Sequence, residues 1–190
     1  SHKNSKERTM NLNQSYLMSH FFRYLQDKNH TAPIEVNGKG LIKSLVRNHF
    51  PELLQVPLSV NIYAEQKVSA NPFTVGKSEE GIYEVLGIIP QSFLTDYRYQ
   101  SVLRGIIGHE LSHIVRGDCD KKRKNFLKKI GKLPLIGKSL TRFNERAVDR
   151  ETIKRGLEEE LYISVRYYEE AHHLNRKDHA YSANQLQKFL

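Results

Sequence analysis

The stretch Ile106-Ile107-Gly108-His109-Glu110-Leu111-Ser112-His113-Ile114-Val115 governs the reading of the whole chain. Glu110 is the one charged residue between Ile106 and Val115. Together with Val102, the apolar positions Ile106, Ile107 and Ile114 fall at helical spacing, so a helix with a buried face is expected here. His109 and His113 are four residues apart and therefore project from one face, one turn above the other. Burying two imidazoles beside a carboxylate is costly unless they share a partner. A divalent ion is such a partner, since two imidazoles one turn apart can each bring a nitrogen to about 2.0–2.1 Å from one zinc and fill two corners of a tetrahedron. Glu110, directly after the first histidine, points aside from such an ion. There a carboxylate can take the proton of a water attacking a carbonyl. A carboxamide at the same place could orient the water but could not accept its proton.

A third ligand is required, and it cannot be a cysteine cluster, because Cys119 is the only cysteine. A glycine three residues and a His or Asp six residues after His113 would complete another known arrangement, but Arg116 and Cys119 stand there. Asp118 lies just past the expected helix end. The stronger candidate is Glu145 in Asn144-Glu145-Arg146-Ala147-Val148-Asp149, at the start of a second expected helix. Glu145 and Asp149 share a face. Glu145 can bind the metal, and Asp149 can accept the other ring N–H of a ligand histidine and so fix its tautomer. The plainer reading is an exposed acidic pair among arginines.

Working outward, the expected elements are a helix over 10–27, a break from Asn29 to Pro33 and a helix over 39–49. A strand is expected from Pro57 to Glu65, a loop from Gln66 to Gly81 and a second strand from Ile82 to Ile89. The metal-site helix runs from about Tyr97 to Arg116, capped by Thr95 or Asp96 and closed by Gly117. A basic connecting stretch follows. Helices are then expected from about Thr141 to Arg155, stopped by Gly156, and from about 157 to 174, with a polar tail behind. This order reads as α+β in a single domain spanning 1–190, with a basic insertion at about 121–140 and a C-terminal helical extension at about 157–190.

The formal charge of +9 comes from 30 Lys and Arg against 21 Asp and Glu. The excess is local: nine basic residues and no acidic one lie between Lys121 and Asn144. Mixed with Phe126, Leu127 and Ile130, these cations fit an anionic membrane surface or nucleic-acid phosphates, or a solvated loop whose apolar side chains dock on the domain. No apolar run reaches the roughly 18 residues of a membrane span, and no secretory signal is visible. With a lone cysteine this predicts a cytoplasmic protein.

The two motifs, His109-Glu110-Leu111-Ser112-His113 and Asn144-Glu145-Arg146-Ala147-Val148-Asp149, resemble those of the gluzincin zinc metallopeptidases, whose ligands are two histidines and a glutamate on a following helix. Thermolysin-like members share the Asn-Glu start but carry Ser where this chain has Val148. Ser101 to Asp118 and Asn71-Pro72-Phe73 are more similar to the heat-shock and CAAX prenyl protease family. The short soluble forms called minigluzincins are the nearest likeness, and it covers roughly residues 56–155. The resemblance implies a zincin-like metalloprotease fold with a small upstream sheet, an active-site helix and a glutamate helix. It also implies one Zn2+ held by His109, His113 and Glu145, with Glu110 as general base and Asp149 supporting a histidine. By the same analogy Ile82 to Ile89 would be an edge strand pairing with an extended substrate, and Asn71 would hold the substrate main chain. An oxyanion donor is sought among Tyr162, Tyr167, Tyr168, His172 and His173, with Tyr168 or His172 preferred.

The function expected is hydrolysis of peptide bonds in peptides or unfolded proteins, with a latent form in which the N-terminal helix or the tail covers the cleft. The alternatives are a basic, nucleic-acid- or membrane-associated zinc protein with the same fold, and an inactive scaffold with a closed structural zinc. Glu110 argues against the last, because a structural site has no use for a base.

Overall fold

A computed structural model of the protein describes residues 38–65, 73–90, 93, 96–132, 137–172 and 180–190. The helix expected over 10–27, Asn71 and His173 lie outside them. In chain order the regular elements are α1 (Gly38–His49), β1 (Leu58–Glu65), β2 (Phe73–Lys77), β3 (Tyr83–Pro90), α2 (Gln100–Val115), α3 (Lys121–Gly131), α4 (Gly137–Lys154), α5 (Glu158–His172) and α6 (Ala183–Leu186). Short 3-10 turns cover Pro51–Gln55, Tyr97–Tyr99 and Gln187–Phe189. The architecture is mixed α+β, as expected. Among the described residues no helix is long and apolar enough to cross a membrane.

The sheet has three strands in the order β1-β3-β2. β1 runs parallel to β3 in the register Leu58↔Tyr83 to Glu65↔Pro90, and β2 runs antiparallel in the register Phe73↔Gly87 to Lys77↔Tyr83. Val85, fully buried, sits between Val60 and Val75. Two expectations fail here. The segment Gln66 to Gly81 is not one loop, because Phe73–Lys77 forms β2. The cause is a non-local contact: Phe73 is buried against its partner Gly87, where a Cβ would meet the Phe73 ring at 2.5 Å. In turn, β3 is not an edge strand. Its backbone is paired on both sides along Tyr83–Gly87, so it cannot offer that edge to a substrate; the outer strands are β1 and β2.

Asp96 caps the entry to the metal-site helix by accepting from the Arg98 N–H at 3.0 Å. α2 proper begins at Gln100 and ends at Val115, so His109 and His113 occupy its last two turns. Gly117 closes it with φ +72°, a left-handed conformation that favours glycine. Val102, Ile107 and Ile114 are buried as expected, whereas Ile106 is only partly so. The basic stretch is the third departure, since Lys121–Gly131 is a helix and not a loop. Lysine, arginine and leucine are strong helix formers, and no breaker interrupts them before Gly131. α4 starts at Gly137, four residues before Thr141, which puts Glu145 well inside the helix.

The segment expected as a C-terminal extension instead carries the core. Leu157, Leu161, Ile163 and Val165 are buried, and α5 packs along α2. Gly105 makes that contact possible: a Cβ there would lie 2.1 Å from the Glu160 carbonyl oxygen and 2.6 Å from its carbon. At Gly108 a Cβ would lie 2.7 Å from Leu157 Cδ1 and 3.5 Å from Thr152 Cγ2. Both substitutions gain the intrinsic helical advantage of Ala over Gly, about 1 kcal/mol. Gly105→Ala nevertheless collides with backbone, which cannot swing away, so the two helices must separate. A net loss of about 1–3 kcal/mol is expected on overpacking grounds, with a smaller loss for Gly108→Ala, whose Cβ meets a side-chain methyl. Urea denaturation of the two variants checks the order, and a Gly105→Ala protein as stable as the parent would refute the close-packing account.

Candidate metal centre

α2 and α4 cross antiparallel, and a series of polar contacts runs down the crossing. The Arg116 Nη2 donates to Asn144 Oδ1 at 3.3 Å. His113 Nε2 lies 3.7 Å, and His109 Nε2 3.3 Å, from the same oxygen, Glu145 Oε2. The His109 Nδ1 donates to Asp149 Oδ1 at 2.9 Å. Lower still, the Ser112 and Thr152 hydroxyls bond to each other at 2.9 Å in a fully buried position. Each hydroxyl also lies within hydrogen-bond reach of a carbonyl on its own helix, Gly108 for Ser112 and Val148 for Thr152, so two hydroxyl hydrogens serve three contacts.

The structure thus brings together every ligand named from the sequence. One donor atom each from His109, His113 and Glu145 lies within 4.8 Å of the others. For a tetrahedral zinc with bonds of about 2.0–2.1 Å, ligand atoms are roughly 3.3 Å apart. The two distances to Glu145 Oε2 are close to that spacing. The imidazole planes stand at 82° with centroids 5.0 Å apart, so both Nε2 atoms converge without stacking. Among the described residues no fourth His, Cys, Asp or Glu joins the group. Two nitrogens and one carboxylate suit zinc and leave a coordination position for solvent or substrate. Glu110 follows His109 on the helix, partly exposed, and its charge is one of the influences that raise the proton affinity of His113.

Asp149 occupies its expected place, fully buried beneath His109. Its second oxygen accepts the Tyr181 backbone N–H at 3.0 Å. Ala180, Ala183 and Leu186 are buried around this anchor, so the C-terminal segment belongs to the frame of the site. The sequence reading missed Asp118 in this role. It is not placed as a ligand; its Oδ2 accepts the His113 Nδ1–H at 3.0 Å. Asp118 is itself held by Arg116 at 3.3 Å and by Arg123 at 2.6 Å. The available signal was its position one residue after the helix-ending Gly117, whose left-handed turn folds the chain back onto the last helical turn. The backbone N–H of Asp118 bonds to the His113 carbonyl at 2.9 Å, which completes that fold-back. Of the expected oxyanion donors, Tyr162 and Tyr167 are core residues. Tyr162 accepts from Arg166, and Tyr167 packs edge-on against Phe93 and Tyr99. Tyr168 is also buried, its ring edge-on to Tyr167. The side chain of His172 lies outside the described residues.

Charge explains why the cluster holds together in metal-free protein. Burial alone would make the His113 imidazole harder to protonate, but the Asp118 hydrogen bond and the Glu145 and Glu110 carboxylates push its pKa up to about 10. Against the same burial penalty, Asp149 and Glu145 raise His109. Burial would raise Glu145, but its hydrogen bonds to both imidazoles hold it far below the usual carboxylate range. Protons and a divalent cation therefore compete for the same nitrogens, and metal uptake should release protons.

Compared with protein-family models, with curated proteins and with solved structures, the chain matches none.

A stability profile follows from these shifts. A raised histidine stabilises the fold fully below its unfolded value of 6.5, and the contribution is lost as pH rises through about 10. A depressed glutamate contributes above its unfolded value of 4.5 and is lost as pH falls through its folded value. The Tm of chelator-treated protein should therefore fall between about pH 6.5 and 10, and the fall should be smaller in His113→Gln. Identical alkaline limbs for parent and variant would contradict this.

Proposed function

We propose that this protein is a zinc-dependent endopeptidase of the gluzincin kind, with a zincin-like fold, acting on peptide bonds in extended peptides or unfolded protein. The observation that carries the reading is the placement of Glu145. A single carboxylate oxygen on a second helix faces the Nε2 atoms of both histidines, whose Nδ1 atoms are already taken by Asp149 and Asp118. That arrangement fixes both tautomers with their free nitrogens toward one point.

When bound there, zinc supplies Lewis acidity, making water a nucleophile near neutral pH and polarising the scissile carbonyl. Glu110 then has a defined task. Its carboxylate takes the proton from the attacking water and passes it to the leaving amine as the carbon–nitrogen bond breaks. Asp149 and Asp118 accept hydrogen bonds from the two Nδ1–H groups and keep the rings from turning. Because both acids are buried and bonded elsewhere as well, the rings are oriented before substrate arrives. Against a closed structural site stands the carboxylate of Glu110, directly after the first ligand, since such a site has no use for a base; among the described residues three donors gather, not four.

Glu110→Gln tests the reading directly. Bound zinc, read by metal analysis, should match the parent, while hydrolysis of casein or a fluorogenic peptide should fall by about 10²-fold or more. Hydrolysis that survives the substitution would remove the peptidase assignment. Asp118→Asn and Asp149→Asn should each weaken zinc binding by roughly 10- to 100-fold, measured by competition with a chelating dye. Parent-like affinity in both would mean that the carboxylates do not orient the histidines.

A further inference from the structure

The metal site leaves unexplained the basic hairpin formed by α3 and the first half of α4, two helices that pack on each other. α3 has an inner and an outer side. On the inner side Arg123 pairs with Asp118 at 2.6 Å, and Leu127, one turn on, is half-buried. On the outer side Lys122, Phe126 and Lys129 follow at spacings of four and three, which puts them on one face, and all three are exposed. The Phe126 ring is 60% accessible. On α4, Leu140 and Phe143 are three apart, 36% and 65% accessible, with the Arg150 guanidinium 5.8 Å from the Phe143 ring centre. Lys138 is exposed in the first turn of the same helix. Three of the eight large apolar side chains exposed among the described residues are thus concentrated in the same segment that carries nine cations and no acid between Lys121 and Asn144.

Cations alone would suit any polyanion. Exposed phenylalanines among them are what distinguishes the possibilities. Against hydrated duplex phosphates an apolar side chain gains little, whereas at a bilayer surface it leaves water for the acyl boundary while lysines meet the headgroups. We infer that the α3–α4 hairpin is a docking surface for anionic phospholipid bilayers, with Phe126 and Phe143 inserting and Lys122, Lys129 and Lys138 contacting headgroups. The surface adjoins the metal site, because α4 carries Glu145 and Asp149 and Arg123 pairs with the acid that holds His113. Docking would therefore bring the site to the plane of the membrane. The inference needs neither metal nor peptide hydrolysis and stands or falls on binding alone.

The test is co-sedimentation of the full chain with vesicles of phosphatidylcholine alone, or with about 30% phosphatidylserine, at about 0.15 M salt. At least tenfold stronger partitioning onto the anionic vesicles is expected. Lys122→Gln with Lys129→Gln should weaken it by roughly thirtyfold, about fivefold for each charge. Phe126→Ser with Phe143→Ser leaves the charge unchanged and should weaken it by about tenfold or more. All four side chains are exposed, and circular dichroism confirms that the variants are folded. Equal partitioning onto neutral and anionic vesicles would overturn the inference, as would full binding by the double Phe variant. So would duplex DNA binding at the same salt that exceeds vesicle binding and ignores the Phe substitutions; the partner would then be nucleic acid.

Discussion

Asp149 accepts a hydrogen bond from the His109 Nδ1–H at 2.9 Å, and Asp118 accepts one from the His113 Nδ1–H at 3.0 Å. Everything else about the centre depends on this pair of contacts. An imidazole with Nδ1 engaged can offer only Nε2, and two such rings a turn apart offer both to the same point. The two acids come from different directions. Asp149 rises from the neighbouring helix α4, and Asp118 is brought back from the turn that ends α2. Each is steadied further, Asp149 by the Tyr181 backbone N–H and Asp118 by a hydrogen bond from Arg116 and an ion pair with Arg123. Each acid holds one ring, and the two rings meet at the same Glu145 oxygen.

Those contacts need helices held at a fixed distance and rotation. Gly105 sets how closely α2 approaches α5, and Gly108 lets the Leu157 and Thr152 methyl groups close on the same helix. The Ser112–Thr152 pair ties α2 to α4 at one level of the crossing, through a 2.9 Å contact between two buried hydroxyls. The apolar contacts of Leu157 and Leu161 then exclude water from beneath the site. Structural and chemical demands meet in the same ten residues of α2. One set of positions faces α5 with glycine and apolar side chains, and another faces α4 with histidine and serine.

The parts legible in the sequence were those whose signal is local. The histidines four apart, the Gly117 and Gly156 helix ends and the alternation of β1 can each be read within a few residues. Both glycines do take positive φ, at +72° and +74°. Glu145 and Asp149 were legible as a pair through their spacing, although only the fold brings them to His109, some forty residues away. The misreadings share a non-local cause. β2 exists because Phe73 finds Gly87, and β3 became central because β2 joined its other side. Asp118 reads only as a ligand candidate lying just past the helix end, because nothing local says that a chain leaving a helix through a left-handed glycine will fold it back onto His113. The basic stretch was misread for another reason: its charge obscured the strong helix propensity of the same residues.

The hydrogen bond from the Tyr181 backbone to Asp149 spans 32 residues of chain. During synthesis at about 5–20 residues per second, that separation means a delay of roughly two to six seconds. Through that interval both histidines and Glu145 already exist, but the acid beneath His109 lacks its second hold. The order of translation therefore makes the centre one of the later features to mature. A nascent chain carries the candidate ligands for a time before both holds on the acid beneath His109 are in place.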